Sequence, residues 1–289
     1  MRRTFPLRPE RSDCSRQYLD NENGMASASS ITHSSSVLRD WHWCNGTYGS
    51  AANWLLNEIL PNEPGSHGGE QIWRTSLKEV FVYRVPQELG GFRVALKTCH
   101  EHRFWRYFLR RSLAYREAIG FDVVKSLGMP AVDVVLCGEE RNPFQLKRSY
   151  IATRFEEDTA QMLDFAHGKS QEHLHGDLMM LLRENIALLA RMHKAGYRHG
   201  GAHPRNFLWK RRTDGTPELI WIDLATVGRC APDDKKRIPL DLSDMIEYFE
   251  LSDGELAELC GIYRTVHDIP IEFRHTGDGG RKLNVCVFK

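Results

Sequence analysis

The sequence lacks the features that would place it in several special classes of protein. Its formal net charge is only +1, from 39 Lys and Arg against 38 Asp and Glu, so the total charge does not indicate nucleic-acid binding. The seven cysteines form no Cys-x-x-Cys pair, which argues against a zinc ribbon and against a disulfide framework. No run approaches the roughly 20 apolar residues of a membrane span. We therefore expect a cytoplasmic protein without a nucleic-acid partner.

The chain is nevertheless long and apolar enough for two lobes. It has 289 residues, 41% of them hydrophobic, and about 150 residues is a common domain size. We divide it into a tail at residues 1–40, an N-terminal lobe at 41–154 and a C-terminal lobe at 155–289. The Ser-rich tail has neither helical nor strand periodicity and is predicted to be disordered. Met25 is an alternative to Met1 as the first residue.

The N-terminal lobe is predicted to be a small, strand-rich body with one long helix. Strand-like runs at 80–85 and 92–98 flank a Gly-Gly turn and predict a β-hairpin. Helical spacing extends over 103–127 and stops at a glycine followed by a proline. Further strands are predicted at 131–137 and 149–154.

The C-terminal lobe is predicted to be mostly helical. Apolar residues recur at helical spacing over 178–192, and a loop with two short strands follows. Two more helix-like segments lie at 242–249 and 253–265. The whole pattern favours a two-lobed α+β fold.

Polar residues cluster in the loop and at the end of a strand in this second lobe. The loop contains His199, Gly201, His203 and Asn206, and Asp223 ends a short apolar strand. The spacing resembles the catalytic loop of the kinase superfamily, in which an Asp lies two residues after the His and an Asn five residues after that Asp. The resemblance implies Mg²⁺ held by Asn206 and Asp223, with Gly201 at the position of the superfamily's Asp.

A lysine and a glutamate of the first lobe extend the resemblance. The apolar strand at 92–97 ends in Lys97, and Glu117 follows 20 residues later in the predicted helix. They resemble the strand Lys that contacts nucleotide phosphates and the helix Glu that orients it, which implies ATP as the cofactor. The glycine turn before the strands resembles, weakly, a phosphate-binding loop and comprises Gly65, Gly68 and Gly69.

Within the superfamily the chain resembles the bacterial lipopolysaccharide core kinases, the heptose and Kdo kinase family. The resemblance covers about residues 62–265 and includes the phrases Leu127-Gly128-Met129-Pro130-Ala131 and Ser149-Tyr150-Ile151-Ala152-Thr153-Arg154-Phe155. It implies a protein-kinase-like fold and transfer of the ATP γ-phosphate to a sugar hydroxyl of the lipopolysaccharide inner core. The implied partners are ATP and the core glycolipid, on the inner face of the cytoplasmic membrane.

The glycine at the Asp position leaves the activity open. General-base help contributes about 10²–10⁴ in rate, whereas phosphoryl transfer depends chiefly on positioning and metal electrostatics. The chain could remain a kinase with His199 or His203 as a substitute base. It could be a nucleotide-binding pseudokinase with a regulatory or scaffolding role. It could also phosphorylate another small-molecule or protein hydroxyl, or transfer a nucleotidyl group instead.

A basic, aromatic segment at 100–111 has two interpretations. Helical spacing places Arg103, Arg106 and Arg110 on one face. These cations could contact anionic lipid of the inner membrane and the glycolipid acceptor. The segment could equally be an ordinary amphipathic helix that packs its aromatic side chains on the lobe.

Overall fold

A computed structural model describes residues 41–62, 65–100, 110–142, 145–167, 175–278 and 281–288. These residues all fall within the contact unit His33–Lys289. The predicted disordered tail and Met25 lie outside the described residues. Within the described part of the chain, no helix combines the length and the apolar character needed to cross a membrane.

Six strands of the described chain form one antiparallel sheet. In chain order they are β1 (Trp41–Cys44), β2 (Glu70–Arg74), β3 (Lys78–Arg84), β4 (Arg93–His100), β5 (Val134–Asn142) and β6 (Gln145–Arg154). Their spatial order is β1-β5-β6-β4-β3-β2, so β1 and β2 lie at the two edges. The β3–β4 hairpin predicted from the sequence is present.

Alternation along β4 gives the sheet two different faces. Val94 and Leu96 are buried and pack with Phe81 and Tyr83 of β3 in an apolar cluster. This cluster also contains residues of α1 (Gly49–Trp54) and of the π-helical turn Leu55–Ile59 that continues it. Successive strand residues point to opposite faces, so Lys97 lies on the other face.

The long helix of the first lobe, α2 (Leu113–Ser126), is shorter than the sequence predicted. Residues 103–109 lie outside the described part of the chain, but residues 110–112 are described and are not helical, which corrects the predicted start. The Ser112 side chain accepts a hydrogen bond from the Tyr115 N–H and caps the helix. The Ser112 N–H donates to Glu139 of β5. A strand distant in the sequence therefore helps to set where the helix begins.

The second half of the chain combines helices with short strands. The helices are α3 (Leu163–Ala166), α4 (His175–Lys194), α5 (Arg237–Ile246) and α6 (Asp253–Val266). The strands β7 (Ala160–Gln161), β9 (Phe207–Arg211) and β10 (Pro217–Trp221) form a three-stranded sheet, and β8 (Tyr197–Arg198) pairs with β11 (Gly228–Arg229). The apolar face of α4 packs with α2, α5 and α6 in the largest core cluster.

A C-terminal hairpin that the sequence did not predict completes the described chain. Its strands are β12 (Ile271–Asp278) and β13 (Arg281–Phe288). The buried Asn284 side chain donates hydrogen bonds of 2.9 and 2.6 Å to the carbonyl oxygens of Ile246 and Phe249. The hairpin therefore satisfies backbone groups at the C-terminal end of α5.

Candidate active site

Three charged residues from distant parts of the chain meet between the sheet and the second half of the protein. The Lys97 ammonium on β4 lies 2.7 and 2.9 Å from the two carboxylate oxygens of Glu117 on α2. It also lies 3.1 Å from an Asp223 carboxylate oxygen, in the segment after β10. The structure thus brings together three residues that the sequence analysis had singled out.

A close approach between α2 and the segment after Asp223 helps to produce this geometry. Gly120 lies one turn after Glu117, and a Cβ atom added there would be 2.1 Å from the Leu224 carbonyl oxygen. Only glycine permits this contact without movement of the backbone. Asp223 itself has a φ of 54°, in the left-handed region where Asp is more common than most residues.

Electrostatics keep Lys97 and Asp223 charged, whereas burial raises the pKa of the Glu117 carboxyl above its ordinary value. Burial would lower the pKa of the Lys97 ammonium, but the carboxylates of Glu117 and Asp223 beside it raise that pKa above its ordinary value. Burial would likewise raise the pKa of the Asp223 carboxyl, but the charge and hydrogen bond of Lys97 hold it below its ordinary value. At neutral pH, Asp223 is therefore a carboxylate and Lys97 an ammonium.

Asn206 presents an oxygen atom for a metal ion. It lies in the 3₁₀ turn Pro204–Asn206, and its side-chain NH₂ donates a 2.9 Å hydrogen bond to the Gly201 carbonyl oxygen. This bond uses the nitrogen end, and no hydrogen bond from a described residue engages the amide oxygen, which could therefore hold a metal ion. The Ile222 N–H donates to the Asn206 carbonyl oxygen at 3.0 Å and ties the loop to the residue before Asp223.

The donor set of Asn206 and Asp223 fits Mg²⁺. Both offer oxygen, and Mg²⁺ is usually held by one or two protein side chains with waters and phosphate oxygens completing its coordination. Within the described residues there is no cluster of three or more His, Cys, Asp or Glu side chains suited to a metal. The residues therefore suit an ion shared with a phosphate ligand rather than one enclosed by protein.

Asp241 of α5 holds the backbone of the loop that contains His199 and Gly200. Its carboxylate oxygens accept hydrogen bonds from the backbone N–H groups of His199 at 2.7 Å and Gly200 at 2.8 Å. The His193 ring lies 3.3 Å from one of them. Asp241 is almost fully buried. From the sequence, Asp241 could either cap the following helix or brace the nucleotide-site loops, and its contacts with the loop about 40 residues earlier support the second interpretation.

His199 is a packing residue in this structure, which argues against the alternative in which it acts as a substitute base. Its ring is fully buried and lies 5.3 Å from the ring centroids of Phe207 and Trp221. Neither ring nitrogen has a hydrogen-bond partner among the described residues. Burial lowers the pKa of His199 to about 4. A fully buried ring cannot take a proton from the hydroxyl of a bound acceptor.

His203 is also poorly placed as a base. Its Nδ1 atom accepts a hydrogen bond of 3.1 Å from the Arg205 N–H, and its ring lies 4.4 Å from that of Tyr248. A neutral imidazole whose Nδ1 accepts carries its proton on Nε2. The exposed side of the ring is therefore a donor. Burial, and then the charge of Arg205, also lower its pKa. These contacts argue against the expected role as a base.

The glycine turn lies on the wrong face of the sheet to meet Lys97. The Gly65 N–H donates to the Tyr83 hydroxyl at 3.1 Å, and a Cβ on Gly69 would be 2.4 Å from the Tyr83 ring. Tyr83 belongs to the face opposite Lys97. Gly65, Gly68 and Gly69 precede the edge strand β2 rather than joining β2 to β3. This corrects the expectation of a phosphate loop at these glycines.

The remaining predictions fall partly outside the described residues. Arg103 and Arg106 are not described, and Arg110 is exposed with its carbonyl oxygen accepting from Arg141. Membrane contact through these residues stays a prediction. One residue near the cluster was missed by the sequence analysis: Lys78, at the start of β3, stands on the Lys97 face of the sheet.

The comparisons with a family model and with solved structures agree with each other. The model of the lipopolysaccharide kinase (Kdo/WaaP) family matches residues 93–263. Among solved structures, the chain is similar to one titled WaaP in complex with acyl carrier protein. The TM-score is 0.51 at 18% identity, and the match covers 68% of this chain and 78% of that chain. This likeness confirms the predicted kinase-like α+β fold. No curated protein sequence matches the chain significantly.

Proposed function

The chain belongs to the lipopolysaccharide kinase (Kdo/WaaP) family, whose model matches more than half of its 289 residues, and we propose that it transfers the γ-phosphate of ATP to a hydroxyl of a lipopolysaccharide core sugar. The observation that carries the proposal is the contact of Lys97 with Glu117 and Asp223, next to a backbone hydrogen bond from Ile222 to Asn206. Phosphoryl transfer needs a fixed cation and metal ligands more than it needs covalent chemistry.

Each residue of the cluster has a role that follows from its surroundings. Lys97 binds phosphate oxygens, and Glu117, which is 4% exposed, holds the ammonium in place through two hydrogen bonds. Asp223 and Asn206 would hold Mg²⁺, which would neutralise charge on the phosphates. Asp241 keeps the loop in position through the N–H groups of His199 and Gly200.

Neither Gly201 nor the two loop histidines, all within the described residues, supplies a side-chain base for the acceptor proton. The acceptor oxygen forms a bond to the γ-phosphorus as the bond to the bridging β–γ oxygen breaks, and the hydroxyl proton leaves to solvent water. Gly201 offers no carboxylate, and His199 and His203 are buried or already engaged. We therefore expect a turnover about 10²–10⁴ lower than a loop carboxylate would support.

The same observation favours a second candidate function. A chain that retains the nucleotide residues but lacks the loop base suits a pseudokinase, which binds MgATP and acts as a regulatory or scaffolding protein. The two functions share the nucleotide site and differ in turnover on a sugar acceptor. One set of measurements distinguishes them.

The experiment combines a thermal-shift titration with a transfer assay. MgATP at 100 times its Kd should stabilise the wild-type protein by about 2.7 kcal/mol. Lys97→Ala should lose this stabilisation, while Lys147→Ala, at an exposed position of β6, should keep it. Melting of each variant without nucleotide checks that it folds. No response of the wild type to MgATP would defeat both candidates.

Transfer of labelled γ-phosphate to purified core oligosaccharide then decides between them. Slow but measurable labelling that depends on Lys97 supports the kinase. Stabilisation by MgATP with no labelling of any core acceptor supports the pseudokinase.

A further inference from the structure

Lys78 is a second lysine on the face of the sheet that carries Lys97. In the β3–β4 pairing, Val80 lies opposite Lys97 and Lys78 lies opposite Cys99. Directly opposed residues project from the same face, and so do alternate residues of one strand. Lys78 and Lys97 are therefore diagonal neighbours, which lie about 7–8 Å apart in antiparallel sheets.

The two lysines differ in how their charge is compensated. Lys97 contacts two carboxylates, Glu117 and Asp223. Lys78 is half-buried, and none of the described side chains forms an ion pair with it. Lys78 is thus a cation facing the site without a carboxylate of its own.

The turn between β2 and β3 explains why a side chain, and not the backbone, would bind phosphate at this place. It has no glycine, and the Thr75 hydroxyl oxygen accepts hydrogen bonds from the N–H groups of Leu77 at 3.3 Å and Lys78 at 3.1 Å. These two amides are already engaged within the turn and cannot cradle a phosphate in the way a glycine-rich loop does. The predicted glycine turn at 65–69 packs on the opposite face.

We propose that Lys78 binds the β- and γ-phosphate oxygens of the nucleotide as a second phosphate-binding cation beside Lys97, in place of the backbone amides of a glycine-rich loop. The proposal rests on the proposed function, because it requires a nucleotide whose phosphates lie beside Lys97. In this proposal Lys78 contacts the phosphates of the nucleotide and not its adenine ring. Its loss should therefore weaken ATP binding and leave adenosine binding unchanged.

The test compares Lys78→Gln with a matched substitution of the same chemistry. Lys147→Gln removes an exposed lysine from β6 and serves as the control. Affinities for MgATP and for adenosine are measured by calorimetry at two salt concentrations. Lys78→Gln should weaken MgATP binding about tenfold, the effect of losing one hydrogen bond to a charged group, and should reduce its salt dependence. Lys78→Arg should restore most of the affinity.

Three results would overturn the proposal. Wild-type affinity for MgATP in Lys78→Gln would show that the ammonium does not touch the phosphates. An equal loss of ATP and adenosine binding in that variant would show a structural effect, as would failure of Lys78→Arg to restore binding. In all three cases the proposed kinase function stands, because the wild type binds MgATP. A wild type that binds no MgATP overturns the proposed function, and this inference with it.

Discussion

The side-chain amide of Asn206 donates a 2.9 Å hydrogen bond to the carbonyl oxygen of Gly201. One candidate metal ligand is thereby tied to the position at which the kinase superfamily carries its loop Asp. This hydrogen bond fixes the backbone at position 201, although the carboxylate is absent. Restoring that carboxylate is therefore a direct test of what the loop can do.

Gly201→Asp should fold and gain activity. The Gly201 φ lies outside the left-handed region, and a Cβ there would be 3.2 Å from the Thr226 hydroxyl oxygen, a contact that a small side-chain shift relieves. We expect phosphorylation of a core-sugar acceptor to rise by about 10²-fold or more, measured as steady-state turnover. Equal and nonzero turnover in both proteins would show that the base lies elsewhere.

Gly200→Asp is the matched control, one residue away. Gly200 has a φ of +74°, and a Cβ there would lie 2.5 Å from the Thr226 carbonyl oxygen. We expect this variant to lose about 1–3 kcal/mol of stability in urea unfolding and to gain no activity. A gain in both variants would show that the added charge, and not its position, is responsible.

His199→Phe should make the protein less sensitive to acid. The pKa of His199 is lowered from 6.5 to about 4 by burial, so the unfolded chain takes up its proton first as the pH falls. The stability that depends on neutral His199 is complete above pH 6.5. It decreases as the pH falls below 6.5 and is fully lost once the pH has fallen through about 4.

The loss over this interval should be about 3 kcal/mol larger in the wild type than in the variant, as measured by urea unfolding at several pH values. The pKa values of Asp223 and Asp241 are also lowered, but their effect is shared by both proteins and cancels in the difference. Parallel pH profiles for the wild type and His199→Phe would contradict the buried neutral state of this histidine.

Asp241→Asn should destabilise the loop and the protein. An amide has a single oxygen, so it cannot accept hydrogen bonds at both ends from the N–H groups of His199 and Gly200. We expect a loss of about 2–4 kcal/mol in the free energy of unfolding. Asp244→Asn, three residues further along α5, is the control and should change stability by less than about 0.5 kcal/mol. Similar losses in the two variants would rule out a specific brace at Asp241.

Trp73 should report nucleotide binding by fluorescence. It lies on the edge strand β2, is 47% exposed, and is paired with Val80, which is itself opposite Lys97. A ligand bound at Lys97 changes the solvation of an indole on that face. We expect MgATP to alter the tryptophan emission of the wild type. The control variant Trp43→Phe should respond in the same way, since Trp43 lies on the opposite edge strand β1. A full response that persists in Trp73→Phe would show that another of the seven tryptophans reports it.

Local patterns predicted a large part of the fold. Alternating apolar residues predicted the β3–β4 hairpin, and helical periodicity predicted α4 and α6, because in each case the signal is complete within a short segment. The start of α2 was misplaced, because its cap at Ser112 is held by Glu139 from another strand. The C-terminal hairpin was missed. Its burial against α5, through residues such as Asn284, is not visible in the local sequence.

The sequence by itself determined which side chains are available for chemistry and their spacing: Lys97, Glu117, Asn206 and Asp223, with a glycine at position 201. Only the tertiary structure decided which other residues meet them. Strand register places Lys78 on the Lys97 face and the glycine turn on the opposite one, while burial removes His199 from proton transfer. Register and burial depend on contacts between residues far apart in the chain, and residue type and spacing do not specify them.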